Sequence, residues 1–255
     1  MSSQVYAYIP YPYLQKNLPL VIERRINPEL FFSAETLDSL NSEELTAIAT
    51  ALRGNGLSTT IHAPYMDLNP GSFEPLLRKA TLHRFHQVLD AAEIVKPTVM
   101  VFHPGYDRWR YGESQDQWLG NAIETFREVL PRVQRIGCTL AVENIFEEEP
   151  ATLKALLEAI DSPLFRHCFD VGHWNLFVKV GMEEWFAEIG SYIAEVHIHD
   201  NFGTKDDHAA IGEGNINFDL FFRLLDSYAP QAARTIEAHS KEALERALVG
   251  IKRYL

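Results

Sequence analysis

The residues best equipped for chemistry in this chain come in short polar motifs. These are TIHAP with His62, VFHPG with His103, AVENI with Glu143, FDVGH with Asp170 and His173, EVHIHDN with His197, KDDHAAIGEGN with Asp206 and His208, and TIEAH with Glu237. Imidazole nitrogens and carboxylate oxygens are the donors that hold Zn²⁺, Mn²⁺, Co²⁺ or Fe²⁺. Gathered without basic partners, such groups repel one another and are costly to desolvate; a divalent cation removes that cost. No cysteine is among them, which argues against a closed structural zinc site and for positions open to water or substrate. A single His or Glu of this kind is more often a hydrogen-bonded core or surface group. Nine of them spread over six strand ends point to a shared site.

The elements that must position them alternate along the whole chain. Apolar, β-branched or aromatic runs predict strands near Val5–Ile9, Glu29–Phe32, Ser58–His62, Thr98–His103, Thr139–Glu143, Arg166–Asp170, Glu195–His199 and Thr235–His239. Helical spacing fills the gaps, as in SEELTAIATALRG, where Leu45, Ile48, Ala49 and Leu52 form one stripe and Gly54 offers a stop. Further helices are expected in EPLLRKATLHRFHQVLDAAEIV, WLGNAIETFREVLPRVQRIG, ATLKALLEAI, FDLFFRLLDSYA and KEALERALVGIKRYL. Strand–helix alternation repeated eight times implies parallel strands joined by right-handed crossovers, and a (β/α)₈ barrel closes them at about this length. A doubly wound open sheet is the competitor, but no G-x-G-x-x-G turn follows the first strand. No linker or composition shift marks a boundary, so residues 1–255 read as one α/β barrel domain. In such a barrel the C-terminal strand ends converge on one cavity, where these motifs lie.

Composition narrows the function classes. The 255 residues carry 23 Lys and Arg against 35 Asp and Glu, a formal charge of −12, which weighs weakly against a polyanionic partner. Cys138 and Cys168 lack the close spacing of a redox pair or zinc clip, and a reduced, cytoplasmic setting is expected. The start MSSQVYAYIPYPYLQK lacks a signal-peptide pattern, and no apolar stretch approaches the roughly 20 residues needed to cross a bilayer.

The stretches HAPYMDLNPGS, FHPG, ENIFE, FDVGHWN, HIHDNFGTKDDHAAIGEGNI and IEAH resemble the xylose-isomerase-like barrels, which include sugar isomerases and epimerases and also endonuclease IV. The resemblance runs from about residue 28 to 240. In the endonuclease IV branch it implies that His62, His103, Glu143, Asp170, His173, His197, Asp206, His208 and Glu237 together hold three zinc ions, Glu143 bridging two. In the isomerase and epimerase branch it implies that Glu143, Asp170, His197 and Glu237 hold one Mn²⁺, Co²⁺ or Mg²⁺, with His173 beside the substrate. One to three divalent ions per chain are therefore expected.

Loop charge separates the branches. The loops 64–73, 104–112, 144–150, 171–181 and 200–216 carry four basic residues, Arg108, Arg110, Lys179 and Lys205. Beyond the candidate ligands they carry eight acids: Asp67, Asp107, Glu147, Glu148, Glu149, Asp200, Asp207 and Glu213. Such a rim docks duplex DNA poorly, since phosphates need Lys and Arg. The preferred expectation is a sugar or sugar-phosphate isomerase or epimerase acting on a small polyhydroxylated substrate. Glu143 and Glu237 would move a proton through a metal-stabilised enediolate, with His173 as a third catalytic group. Zinc-dependent hydrolysis of abasic-site DNA or of a small phosphoester is the alternative, and a metal-binding barrel without catalysis is the third class.

Other residues read as supporting cast. His199 and His239 are expected beside the ligands, and Asp200 as a hydrogen-bond partner of a ligand imidazole. His83, His86 and His167 read as structural. Trp109, Tyr111, Trp174 and Phe177 read as a sugar-stacking wall or as cover over the ring. Arg108 and Arg110 would grip an anionic substrate or pair with Asp107 and Glu113. Glu147, Glu148 and Glu149 read as a solvated helix start, and Cys168 as a small buried hydrophobe.

Overall fold

A computed structural model describes residues 4–255. Eight strands form it: β1 (Val5–Pro10), β2 (Asn27–Phe31), β3 (Thr60–His62), β4 (Val99–Phe102), β5 (Thr139–Glu143), β6 (Phe165–Asp170), β7 (Ile193–Ile198) and β8 (Ala233–Ile236). Each pairs in parallel with the next, and β8 returns to β1, so the sheet closes as a (β/α)₈ barrel. All eight expected strands are present, shorter at several ends; His103, His199 and Glu237 fall just past β4, β7 and β8. Every residue of β3 and β4 is buried, because helices cover the outside and the barrel interior closes the other face.

The helices form where spacing and caps dictate. In Ser42–Gly54 the predicted stripe Leu45, Ile48, Ala49 and Leu52 is buried, and the Asn41 side chain accepts from the Glu43 and Glu44 amides. Helices Pro75–Val95, Gln115–Ile136, Ala151–Ile160, Phe218–Tyr228 and Lys241–Gly250 match the remaining segments, and Met182–Ile189 is a helix that none of them covers. Tyr11–Glu23 is a helix outside those expected. Pro12 in its first turn and Pro19 inside it disguise it, and Asn17 (φ −122°, ψ 16°) absorbs the break that an internal proline imposes. The main core lies between strands and helices, around Trp118, Trp185, Phe126, Phe165, Phe169 and Phe221. No helix among the described residues is long and apolar enough to cross a membrane.

Candidate active site

Side-chain alternation along each strand decides what enters the barrel. Val99, Val101, Ala141 and Cys168 form a small apolar cluster apart from the main core. Two residues further along the same faces come His103 after Val101, Glu143 after Ala141, and Asp170 after Cys168. On β7 the same period aligns Glu195, His197 and His199, and on β8 it aligns Thr235 with Glu237. The apolar plug thus gives way to a polar ring at the C-terminal rim.

Glu143 stands at its centre. Its Oε2 lies 3.3 Å from His62 Nε2, 3.2 Å from His103 Nε2 and 3.4 Å from His197 Nδ1, and its Oε1 lies 3.1 Å from His173 Nδ1. Asp170 caps helix Val171–Phe177, accepting from the His173 amide at 2.6 Å, so that His173 in the first turn swings over the ring. His199 Nε2 lies 3.2 Å from Asp170, and His208 Nε2 lies 3.0 Å from Asp206. Glu237 faces His197 Nδ1 at 3.4 Å and His208 Nδ1 at 3.7 Å. All nine candidate residues therefore converge on one rim. Four groups on the rim have donor atoms within 4.8 Å of one another: His62, Glu143 and His197; Asp170, His173 and His199; His199, His208 and Glu237; and Asp170, His197 and Glu237. His199 belongs to two of the four, as do Asp170, His197 and Glu237.

The donor set fits a cation. Buried Glu143 Oε2, His103 Nε2, His197 Nδ1, His199 Nδ1 and His208 Nδ1 have no hydrogen-bond partner. A buried polar atom left without a partner costs roughly 1–3 kcal/mol, and here several such atoms face one space. Tautomers are fixed from behind: His62 Nδ1–H donates to the Ala63 carbonyl at 2.8 Å, leaving Nε2 to face Glu143.

The electrostatics tell the same story. Burial pushes His62 down, but the close carboxylate of Glu143, with Glu29 and Glu237, overrides it and raises it to about 9. Burial wins at His103, down to about 4 despite Glu143, so this imidazole is neutral near pH 7. Burial raises Glu143, yet His197, His103 and His173 hold it well below its ordinary value. His173 and His208 lose by burial and gain more from Asp170 and Glu143, and from Asp206 and Glu237, respectively; both rise.

The ring opens into a cavity of about 690 Å³. Tyr8, Tyr65, Tyr106, Tyr111, Phe146 and Phe177 wall it, Tyr65 stacking on His103 at 4.4 Å between centroids. Trp109 is 85% exposed and is not among the cavity's lining residues, and Trp174 packs against the core instead. His239 stacks on His208 at 3.8 Å.

Three expectations need correction. Glu147 is no solvated helix residue: the helix starts only at Ala151, and Glu147 is buried in the cavity wall, its Oε2 accepting from the Ile145 amide at 2.7 Å. Asp200 touches no imidazole among its described hydrogen bonds; its carboxylate accepts from the amides of Asn201, Gly212, Gly214 and Ile216. Arg108 pairs with Glu148 rather than Asp107 or Glu113, and Glu148 also takes Lys179 at 2.6 Å.

Sequence reasoning passed over Glu29 and Glu195, both fully buried beside His197. Their signals were a lone acid inside the apolar run NPELFF and a Glu two residues before His197, hence on the same face. His83 and His86 lie on helix Pro75–Val95, and buried His167 donates Nδ1–H to the Val142 carbonyl, 2.9 Å away, while its Nε2 accepts from the Trp185 indole.

Comparison with known proteins agrees with this architecture. An uncharacterized protein of Methanocaldococcus jannaschii, MJ1311, is 34% identical over 168 residues, which is 62% of this chain and 56% of that protein. The aligned part thus spans little more than half of that relative. A probable endonuclease 4 of Persephonella marina is 25% identical over 210 residues, 74% of this chain and 72% of the relative. Among solved structures, a D-tagatose 3-epimerase-like protein superposes with a TM-score of 0.83 at 24% identity, covering 98% of this chain and 96% of its own, a likeness of fold. The profile of one family matches residues 28–253, and the chain belongs to that family, the xylose isomerase-like TIM barrels.

Proposed function

We propose that this protein is a divalent-metal-dependent isomerase or epimerase of a small polyhydroxylated compound, a sugar or sugar phosphate. The observation that carries the reading is the ring of buried imidazole and carboxylate atoms without hydrogen-bond partners, opening into a cavity of about 690 Å³. His62, His103, Glu143, Asp170, His173, His197, Asp206, His208 and Glu237 are the groups that would hold one to three ions. A divalent ion there supplies a Lewis acid that polarises the oxygens of a hydroxycarbonyl substrate.

The chain's own residues supply the rest. Glu143, kept ionised by its imidazoles, anchors the ring, while Glu237 lines the cavity beside it. One of these carboxylates takes the proton from the carbon next to the carbonyl. The other delivers a proton of its own to the opposite face in an epimerisation; in an isomerisation the first returns its proton to the neighbouring carbon. His173, also on the cavity wall, hydrogen-bonds a substrate oxygen, and the tyrosines exclude water.

The test combines metal content, measured on protein without a metal-binding tag, with a ketose and aldose panel in deuterated water. About one Mn, Co or Mg per chain and deuterium at the carbon beside the carbonyl are expected. Glu237→Gln should lower turnover at least about 100-fold while sugar binding persists, which separates a catalyst from a pure binder; unchanged turnover would exclude Glu237 as a proton carrier. The second reading, zinc-dependent phosphoester hydrolysis, draws on the number of donors, more than one ion takes. Two or three zinc ions per chain, with hydrolysis of a phosphodiester and no deuterium uptake, would replace the first reading by the second.

A further inference from the structure

Below the ring the barrel interior holds two glutamates that the proton transfer does not use. Glu29 on β2 and Glu195 on β7 are both fully buried, and with His197 they form a group whose donor atoms lie within 4.8 Å of one another. A charge at such depth costs several kcal/mol unless it is paired. Glu29 Oε1 lies 3.2 Å from His197 Nε2, and the Thr235 hydroxyl donates to Glu195.

The opposite edge of the same imidazole faces the ring. His197 Nδ1 lies 3.4 Å from Glu143 Oε2, 3.4 Å from Glu237 Oε1 and 3.9 Å from Asp170 Oδ2, and it has no hydrogen-bond partner. A neutral imidazole carries one N–H, and whichever nitrogen donates leaves the other to bind a cation. We propose that Glu29 is the positioning residue for His197: by accepting the Nε2–H it fixes ring orientation and tautomer, and so aims Nδ1 at the metal position. Glu195, held by Thr235, packs beneath and keeps Glu29 in register. The assignment rests on the metal reading of the ring only for its affinity arm; the hydrogen bond itself belongs to the metal-free protein.

Two variants and two readouts test it. Zn²⁺ affinity is measured by competition with a chromophoric chelator, and the imidazole N–H of His197 by ¹⁵N-resolved NMR of the metal-free protein. In the wild type a slowly exchanging His197 N–H assigned to Nε2 is expected. Glu29→Leu removes the acceptor and should weaken Zn²⁺ about 10–100-fold and abolish that signal. Its metal-free melting temperature should hold or rise, because a buried acid has been replaced by a hydrophobe. A merely structural role predicts the reverse, a lower melting temperature with affinity intact. Glu29→Gln keeps an acceptor and should fall between the two, and it serves if the Leu variant fails to fold. Affinity within twofold of wild type in Glu29→Leu, or the absence of a protected N–H at Nε2 in the wild type, would overturn the proposal. If the wild type took up neither Zn²⁺ nor Mn²⁺, the metal reading would fail, and the Nε2–H signal would still decide what Glu29 does.

Discussion

Glu147 is the residue whose environment departs furthest from what its neighbours in the chain suggest. Burial pushes its carboxyl from an ordinary 4.5 to about 7, and the Ile145 amide offsets only part of that. A folded-state value above the unfolded one means that the native protein keeps a proton that the unfolded chain has lost between those two pH values. Stability therefore falls as pH rises from about 4.5 to about 7 and stays lower above that range. Glu147→Gln has no proton to lose and still accepts from the Ile145 amide. In metal-free protein it should match the wild type near pH 4.5 and exceed it at pH 8 by up to roughly 3 kcal/mol, as urea titrations at the two pH values would show. An equal difference at both would mean that the carboxyl is better solvated than its position implies. The position was opaque in the sequence because three consecutive acids before Pro150 look like a helix start. Only the bend after β5 turns the first of them inward while Glu148 stays out to meet Arg108 and Lys179.

At the level of elements, strands carried most of the legible signal and loops the least. Parallel strands buried on both faces must be apolar, so a His or carboxylate at their ends stands out against Val, Ile and Phe, and every strand-end candidate falls on the rim. The loop after β7 obeys no such periodicity. Its shape comes from Asp200, whose carboxylate gathers four backbone N–H groups, and from the antiparallel bridge between Asp200 and Ala209 at 2.8 and 2.9 Å. A Cβ at Gly214 would stand 2.3 Å from the Asn201 carbonyl oxygen and from Asp200 Oδ1, so the glycine of the GEGN motif is a requirement of this closure. Between the two ends of the clamp sit Asp206 and His208, the latter at φ +46°. Asp200→Ala should therefore leave the barrel folded at a cost of about 1–3 kcal/mol, while the amides of residues 212, 214 and 216 lose hydrogen-exchange protection. Metal affinity should fall at least tenfold, because two donors are released together. Full protection of those amides in the variant would show that the loop is held by other contacts.

For the molecule as a whole, the decisive quantity is charge, and it acts first through protons. The acidic ring raises His62 to about 9 and lifts His173, His197 and His208, so without a cation several imidazoles carry protons near neutrality. A divalent ion must displace them. Binding at pH 7 should release at least one proton per ion, read from calorimetry in buffers of different ionisation heat, and affinity should fall steadily from pH 8 to pH 5. The same charge balance bears on nucleic acid. Of the four cations on the rim loops, Arg108 and Lys179 are both bound by Glu148, and Lys205 lies 3.7 Å from Asp207. Arg110 is the one left without an acidic partner among the described residues, and it sits over the Tyr111 ring at 6.0 Å. Each phosphate neutralised contributes a slope of about −0.9 to log K against log salt, so an abasic duplex should bind weakly and with a slope near −1. Tight binding with a slope of several units would require the Glu148 pairs to open toward phosphates. It would also move the molecule to the hydrolytic reading of its donor ring.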